Sequence, residues 1–444
     1  MRQASITKIT IWSLLNRGGN RMSPIEITLF LLLFATVMFV WERIPLALTA
    51  IIVCLALVLT GVLDAKSAFN GFINTNVILF VGMFIVGGAL FETGMANRIG
   101  GLVTRFAKTE RQLIVAIMVI VGLLSGVLSN TGTAAILIPV VIGIAAKSGF
   151  SRSRLLMPLV FAAAMGGNLS LIGAPGNLIA QSALQNVGLE FSFFEYAKVG
   201  LPLLAGGIIY FAFFGYRLLP AGSSKAVAGE NEVSHDFSSV PKWKQITSLV
   251  VMIAAILGMV FESAIGVPLH ITACGGAAFL VLVGVLTEKQ AYRAIDTQTI
   301  FIFGGTLALA SALEQTGAGA AVASTIMNLL GTEPSPVLLL VVIFFISCAL
   351  TNFMSNTATT ALLVPIGMSI AANLGADPRA VLMAIVIGGS CAYATPIGMP
   401  ANLMVLSAGG YKFADYVKCG LPLILVAGAI AIPLLLLFFP FFPS

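Results

Sequence analysis

The chain has 444 residues, 59% of them hydrophobic and 9% charged, with a net charge of +6 and a mean hydropathy of +1.05. Soluble proteins are about 45–50% apolar and about 25% charged, so this composition excludes a soluble enzyme, a disordered chain and a secreted disulfide scaffold. The 23 Lys and Arg residues are scattered rather than gathered into a stripe, which argues against a nucleic-acid partner.

Apolar runs of helical length recur along the whole chain and predict an all-α polytopic membrane protein. The alternating ten-residue segments of a membrane barrel are absent. Residues 1–23 read as an N-terminal tail with Arg2, Lys8, Arg17 and Arg21 and no signal-peptide core. The predicted spans then run 24–41, 45–62, 76–94, a long stretch 112–146, 155–184 and 200–219. A polar segment, 220–244, containing His235, reads as a solvated linker. The pattern restarts at 246–261, 268–286, 299–313, 336–372, 380–406 and 420–442. Cys54, Cys274, Cys348, Cys391 and Cys419 form no C-x-x-C pair and read as buried thiols.

The restart is an internal repeat. Gly61-Val62-Leu63 matches Gly284-Val285-Leu286 at an offset of 284 − 61 = 223, which also aligns Gly82 with Gly305 and Thr93-Gly94 with Thr316-Gly317. Ser129-Asn130-Thr131 matches Ser355-Asn356-Thr357 at an offset of 355 − 129 = 226, carrying Thr133 onto Thr359 and Pro139 onto Pro365. Tyr196 and Gly200-Leu201-Pro202-Leu203 recur as Tyr416 and Gly420-Leu421-Pro422-Leu423.

Basic loops set the expected topology. Arg98, Arg105, Lys108 and Arg111 precede the long stretch and Lys147, Arg152 and Arg154 follow it, which places both loops in the cytoplasm. The corresponding loops of the second half hold Glu333, Asp377 and Arg379 and belong outside. The two halves are therefore expected to be inverted repeats, each of about five transmembrane helices plus one re-entrant hairpin. The N-terminus then falls outside, against the pull of its own basic residues. Residues 99–103, flanked by arginines, suggest a short amphipathic helix on the cytoplasmic surface. Inverted repeats with broken helices are the architecture of secondary transporters.

Both long stretches break in the middle, at Ser129-Asn130-Thr131-Gly132-Thr133 and at Ser355-Asn356-Thr357-Ala358-Thr359. Ser, Thr and Asn favour helix N-caps over helix interiors. Each quintet thus predicts the tip of a hairpin buried halfway into the membrane, where irregular backbone is tolerated only beside a cavity. The second leg starts at the tip, so its N-terminal N–H groups attract an anion. A second pair of breaks covers 166–177 and 388–402, rich in Gly, Pro and Asn. Unwound segments there free carbonyls that suit a hard cation. Ser125 and Thr351 precede their Ser-Asn-Thr by four residues and share its face.

These paired Ser-Asn-Thr tips, the later Ala394-Thr395-Pro396, and Ala174-Pro175-Gly176-Asn177 with Met399-Pro400-Ala401-Asn402 resemble the divalent anion/sodium symporter family, also called solute carrier 13. The likeness covers nearly the whole chain from about residue 24. It implies an inner-membrane elevator transporter, usually a homodimer, carrying C4 dicarboxylates or citrate and in some branches sulfate. Na⁺ is the coupling ion in some branches, others exchange substrates, and no other cofactor is implied. By motif, Ser129, Asn130, Thr131, Ser355, Asn356 and Thr357 would bind substrate, with Ser170, Thr395 and Pro396 beside them. One Na⁺ site would use Ser125, Ser129, Asn130 and a carbonyl near Leu169. The other would use Thr351, Asn356 and the Ala394 carbonyl. The first break departs from the family's Gly-Thr-x-x-Gly-Thr-Pro-Pro-Asn, reading Leu169-Ser170-Leu171-Ile172-Gly173-Ala174-Pro175-Gly176-Asn177, a difference that bears on the coupling ion.

Residues 24–110 and 245–335 are expected to form the scaffold and dimer interface, and 111–219 and 336–444 the moving domain. No acidic or basic residue sits mid-span where a proton relay needs one. Glu92 and Glu314 lie near span ends and read as capping or pairing groups, and His270 has no partner suggesting a metal. The commitment is secondary transport of a C4 dicarboxylate such as succinate, malate or fumarate. The alternatives are citrate, sulfate or another inorganic anion on the same fold, and an anion channel.

Overall fold

The computed structural model describes residues 22–101, 109–220, 240–330 and 335–442, and the regular elements among them are helices. The basic residues of the tail, Arg105 and Lys108, His235 with most of the linker, and Glu333 lie outside the described residues.

The first half contributes α1 (Pro24–Trp41), α2 (Leu46–Leu59), α3 (Ala65–Phe69), α4 (Thr75–Glu92) and α5 (Met95–Gly101). A helical pair follows, α6 (Glu110–Ser125) and α7 (Asn130–Ser148), then a broken pair, α8 (Arg152–Gly166) and α9 (Pro175–Gln185). It closes with α10 (Ala197–Tyr210), which continues through one π turn, Phe211–Gly215, to Leu218. The second half repeats this order with α11 (Lys242–Val260), the short α12 (Glu262–Ile265), α13 (Leu269–Leu282), α14 (Glu288–Ala294), α15 (Thr297–Thr316) and α16 (Ala318–Leu330). The pair α17 (Pro336–Thr351) and α18 (Asn356–Leu374) comes next, then the broken α19 (Pro378–Gly389) and α20 (Pro400–Ala408), and α21 (Phe413–Phe438).

The repeated sequence marks have local causes. Gly61 and Gly284 have φ of 76° and 73°, the left-handed region that costs other residues strain, and each ends the turn after a matched helix. Gly82 and Gly305 serve helix crossings. A Cβ at Gly82 would lie 2.7 Å from Ala273 on α13, and one at Gly305 would lie 2.7 Å from Ala50 on α2. Small residues at these points let the backbones approach. So α4 packs on α13 and α15 on α2, the same crossing made twice with the halves exchanged.

The helices α8 and α19 form the centre. Every residue of 155–166 and 380–389 is buried, as expected of helices apolar on all sides. Outer helices instead expose apolar side chains, such as Phe30 and Leu33 on α1, which suits a lipid environment.

Six helical stretches are long and apolar enough to cross a membrane: 24–41, 65–92, 197–218, 242–260, 356–374 and 413–438. The predicted spans at 45–62 and 268–286 prove shorter. With 14 residues each, α2 and α13 rise about 21 Å against a hydrocarbon core of about 30 Å. Two boundaries also move. Residues 242–244 of the expected linker open α11, and α21 starts at Phe413 rather than at 420. Helix α16, with 13 residues, falls outside the expected spans, being shorter than a membrane-crossing run. Of the predicted surface helix at 99–103, only the part within α5 is described.

Candidate substrate and cation site

Both hairpin tips start a helix with a serine N-cap. Ser129 Oγ accepts from Gly132 N at 3.1 Å, and Ser355 Oγ accepts from Ala358 N at 3.2 Å. The caps occupy one N–H each and leave other first-turn N–H groups of α7 and α18 aimed at the tips. Ser129, Thr131, Ser355, Asn356 and Thr357 are half-buried, and Asn130 is 9% exposed.

The asparagines face the broken helices. One end of the Asn130 amide lies 2.8 Å from Ser125 Oγ, 3.1 Å from the Ala163 carbonyl and 3.2 Å from the Gly173 carbonyl. The Asn356 amide lies 2.7 Å from Thr351 Oγ1 and 3.2 Å from both the Gly389 and Gly398 carbonyls. With nitrogen at that end, each amide donates to these acceptors. The Ser125 and Thr351 hydroxyls also donate to Ala163 at 2.7 Å and Gly389 at 2.5 Å. The structure thus joins Ser125 with Asn130 and Thr351 with Asn356. The carbonyls beside those amides belong to Ala163, Gly173, Gly389 and Gly398, where the sequence pointed to Leu169 and Ala394.

Ser170 and Thr395 also brace the breaks. Both are buried, and their hydroxyls turn back onto the hairpins. Ser170 Oγ donates to Gly126 O at 2.5 Å, and Thr395 Oγ1 donates to Asn352 O. Pro396 is buried beside Thr395. Each break is held open from within by an asparagine. Asn177 Nδ2 donates to Gly167 O at 2.8 Å and Ser170 O at 2.6 Å, and Asn402 Nδ2 to Ala392 O at 2.7 Å and Thr395 O at 3.1 Å. The repeated tyrosines complete the brace, Tyr196 donating to Asn177 O at 3.0 Å and Tyr416 to Asn402 O at 2.7 Å.

Among the described residues, the same buried atoms lack partners in both halves: Thr133 Oγ1 with Thr359 Oγ1, and Asn177 Oδ1 with Asn402 Oδ1. The sequence reading did not select these four as site residues, although the repeat had already paired the threonines. A cavity of about 90 Å³ separates the first tip from α4, lined by Ser129, Gly173, Phe84, Gly87 and Phe91. Glu92 lies away from it, accepting from Gln290 Nε2 at 2.8 Å. Among the described residues, no group of three His, Cys, Asp or Glu side chains is placed to hold a metal.

The citrate transporter family matches residues 36–388 and 357–444 of the chain. An uncharacterized transporter of Haemophilus influenzae is 30% identical over 420 residues, covering 90% of this chain and 88% of its own length. The sodium-dependent dicarboxylate transporter SdcS of Staphylococcus aureus is 24% identical over 431 residues, covering 88% and 81%. Among solved structures, the Alcanivorax borkumensis YdaH transporter aligns with a TM-score of 0.64 at 16% identity, over 93% of this chain and 98% of its own. Neisseria gonorrhoeae MtrF, from a class of antimetabolite efflux pumps, aligns with a TM-score of 0.63 at 15% identity, over 97% of each chain. These two likenesses establish the fold.

Proposed function

The chain belongs to the citrate transporter family, and from that premise we propose that it carries small divalent anions, C4 dicarboxylates first, by an elevator movement of its two hairpins and broken helices. The observation that carries this reading is the doubled site. Two serine-capped tips each set one asparagine against two carbonyls of a broken helix and one hydroxyl.

The chemistry suits a dianion beside a cation. Ser129, Thr131, Ser355 and Thr357 offer neutral donors at two helix N-termini, which favour carboxylates. With its oxygen turned inward, the Asn130 amide would join Ser125 Oγ and the Ala163 and Gly173 carbonyls as an all-oxygen set for Na⁺. Asn356, Thr351, Gly389 and Gly398 offer the same. Bound cations would neutralise the dianion, so the loaded domain would cross the bilayer at lower cost than the empty one. SdcS, sodium-dependent and dicarboxylate-transporting by name, supports both halves of this reading. The crossings exchanged between halves support inverted repeats, and the bacterial relatives support an inner-membrane location. A homodimer meeting through 24–110 and 245–335 completes the proposal.

The test is radiolabelled succinate uptake into proteoliposomes. One set has an inward Na⁺ gradient and empty lumens, and the other has no Na⁺ and lumens preloaded with succinate. Uptake only with Na⁺ means symport, and uptake only with preloading means exchange. No uptake in either set overturns the C4 assignment and directs the search to citrate and sulfate. Asn130→Ala and Asn356→Ala are expected to abolish uptake in folded protein. Wild-type rates in folded Asn356→Ala would remove that residue from the site.

A further inference from the structure

The two half-sites share their capping, asparagine and hydroxyl bonds, but one tie between hairpin and break is found in the second half alone. The hairpins superpose in sequence at an offset of 356 − 130 = 226 and the breaks at 402 − 177 = 225. On that register Asn352 corresponds to Gly126, and Ala394 to Leu169. Asn352 ends α17 and is 4% exposed. Its Nδ2 donates to Cys348 O at 2.7 Å and Cys391 O at 3.2 Å, and its Oδ1 accepts from Ala394 N at 2.8 Å. One side chain therefore ties the hairpin to both ends of the unwound stretch 391–394.

The first half has no such tie. Gly126 has φ −63° and ψ −19°, ordinary right-handed values, so the backbone does not demand glycine there. The neighbouring side chain crowds the position instead, since a Cβ at Gly126 would lie 3.0 Å from Leu169 Cβ and 3.2 Å from its Cδ1. Leu169 N bonds Gly166 O at 2.9 Å, within its own chain segment. Glycine with leucine and asparagine with alanine thus fill matching space, the first as an apolar plug, the second as a polar clamp. The hydroxyl brace from Ser170 or Thr395 is common to both halves, so the side-chain clamp from hairpin to break is a difference between them.

We propose that Asn352 is a positioning residue that holds the second break in shape before ligand arrives, so that the second half-site is preformed while the first takes its final shape on binding. The inference rests on the breaks being the binding site. An unwound segment lacks its helical hydrogen bonds, and removing the two substitutes at Cys391 and Ala394 frees it to refold locally. Ligand must then supply the ordering that the clamp had already supplied.

The test exchanges one solution for the other. Asn352→Gly with Ala394→Leu keeps the packed volume and removes the clamp; Asn352→Asp keeps the size and the acceptor for Ala394 N but cannot donate to Cys348 and Cys391. Hydrogen exchange in nanodiscs is read at 390–398, with 166–173 as internal control, alongside KM and Vmax for succinate uptake. Protection at 390–398 is expected to fall about ten-fold, as for loss of several weak buried bonds, with 166–173 unchanged. KM is expected to rise by a similar factor while Vmax holds. Unchanged exchange at 390–398 in the double variant overturns the clamp, and lost protection with unchanged KM reduces Asn352 to a structural role and overturns the positioning claim. A wild-type protein that takes up no succinate counts against the transport reading instead, and the exchange measurements still decide the clamp.

Discussion

Ser390 Oγ donates to Asn168 Oδ1 at 3.0 Å, a buried bond that joins the two broken helices near their unwound segments. It is a direct side-chain link between the two halves of the central unit. Asn168 Nδ2 has no partner among the described residues, so the amide is held by its oxygen. Ser390→Ala removes that hold and leaves a buried acceptor unmet. The expected loss is about 1–2 kcal/mol, read as a lower midpoint in thermal unfolding of the detergent-solubilised protein. An unchanged midpoint would show that the bond does not couple the halves.

The matched Gly-Leu-Pro-Leu motifs predict a sharp steric test. A Cβ at Gly200 would lie 1.9 Å from Asn168 O, and one at Gly420 would lie 2.1 Å from Tyr393 O. Backbone atoms cannot swing aside as side chains do, so Gly200→Ala and Gly420→Ala should each cost about 3 kcal/mol, the upper end of overpacking effects. Gly143, inside α7, has nothing within 4 Å of its added Cβ. Gly143→Ala should leave stability equal or raise it by up to about 1 kcal/mol. Monodispersity and unfolding midpoint of the three variants, measured side by side, check the contrast.

A polar seam runs between the expected scaffold and moving parts. Asn76 Nδ2 donates to Gln185 Oε1 and Asn74 Nδ2 to Ser182 Oγ, each at 2.9 Å, beside a cavity of about 260 Å³ that also meets Glu190 and His270. If α9 slides past α4 during transport, both bonds must break in each cycle. Asn76→Cys with Gln185→Cys, made on a Cys274→Ala background, should lose uptake on oxidation and regain it with reductant. Full uptake by the cross-linked protein would show that α4 and α9 stay together, against the elevator movement.

What the amino-acid order determined by itself was the membrane class, the duplication and the two serine-capped tips. Those features are local or periodic. Hydropathy over a helix length, a Ser-Asn-Thr cap and a left-handed glycine at Gly61 or Gly284 each depend on nearby residues. The tips were legible for the further reason that the chain wrote them twice. Only the tertiary structure decided which backbone meets them. The carbonyls of Ala163, Gly173, Gly389 and Gly398 that lie beside the asparagine amides carry no side-chain signature, whereas the resemblance implied those near Leu169 and Ala394. The resemblance implied Ser170 and Thr395 beside the substrate, and only packing shows that their hydroxyls bond hairpin carbonyls. Asn352 was overlooked because its role depends on Cys391 and Ala394, about forty residues further along the chain. Hydrogen bonds between distant segments are set by how helices stack, and stacking is fixed by complementary volumes such as Gly126 with Leu169, which a linear pattern does not display.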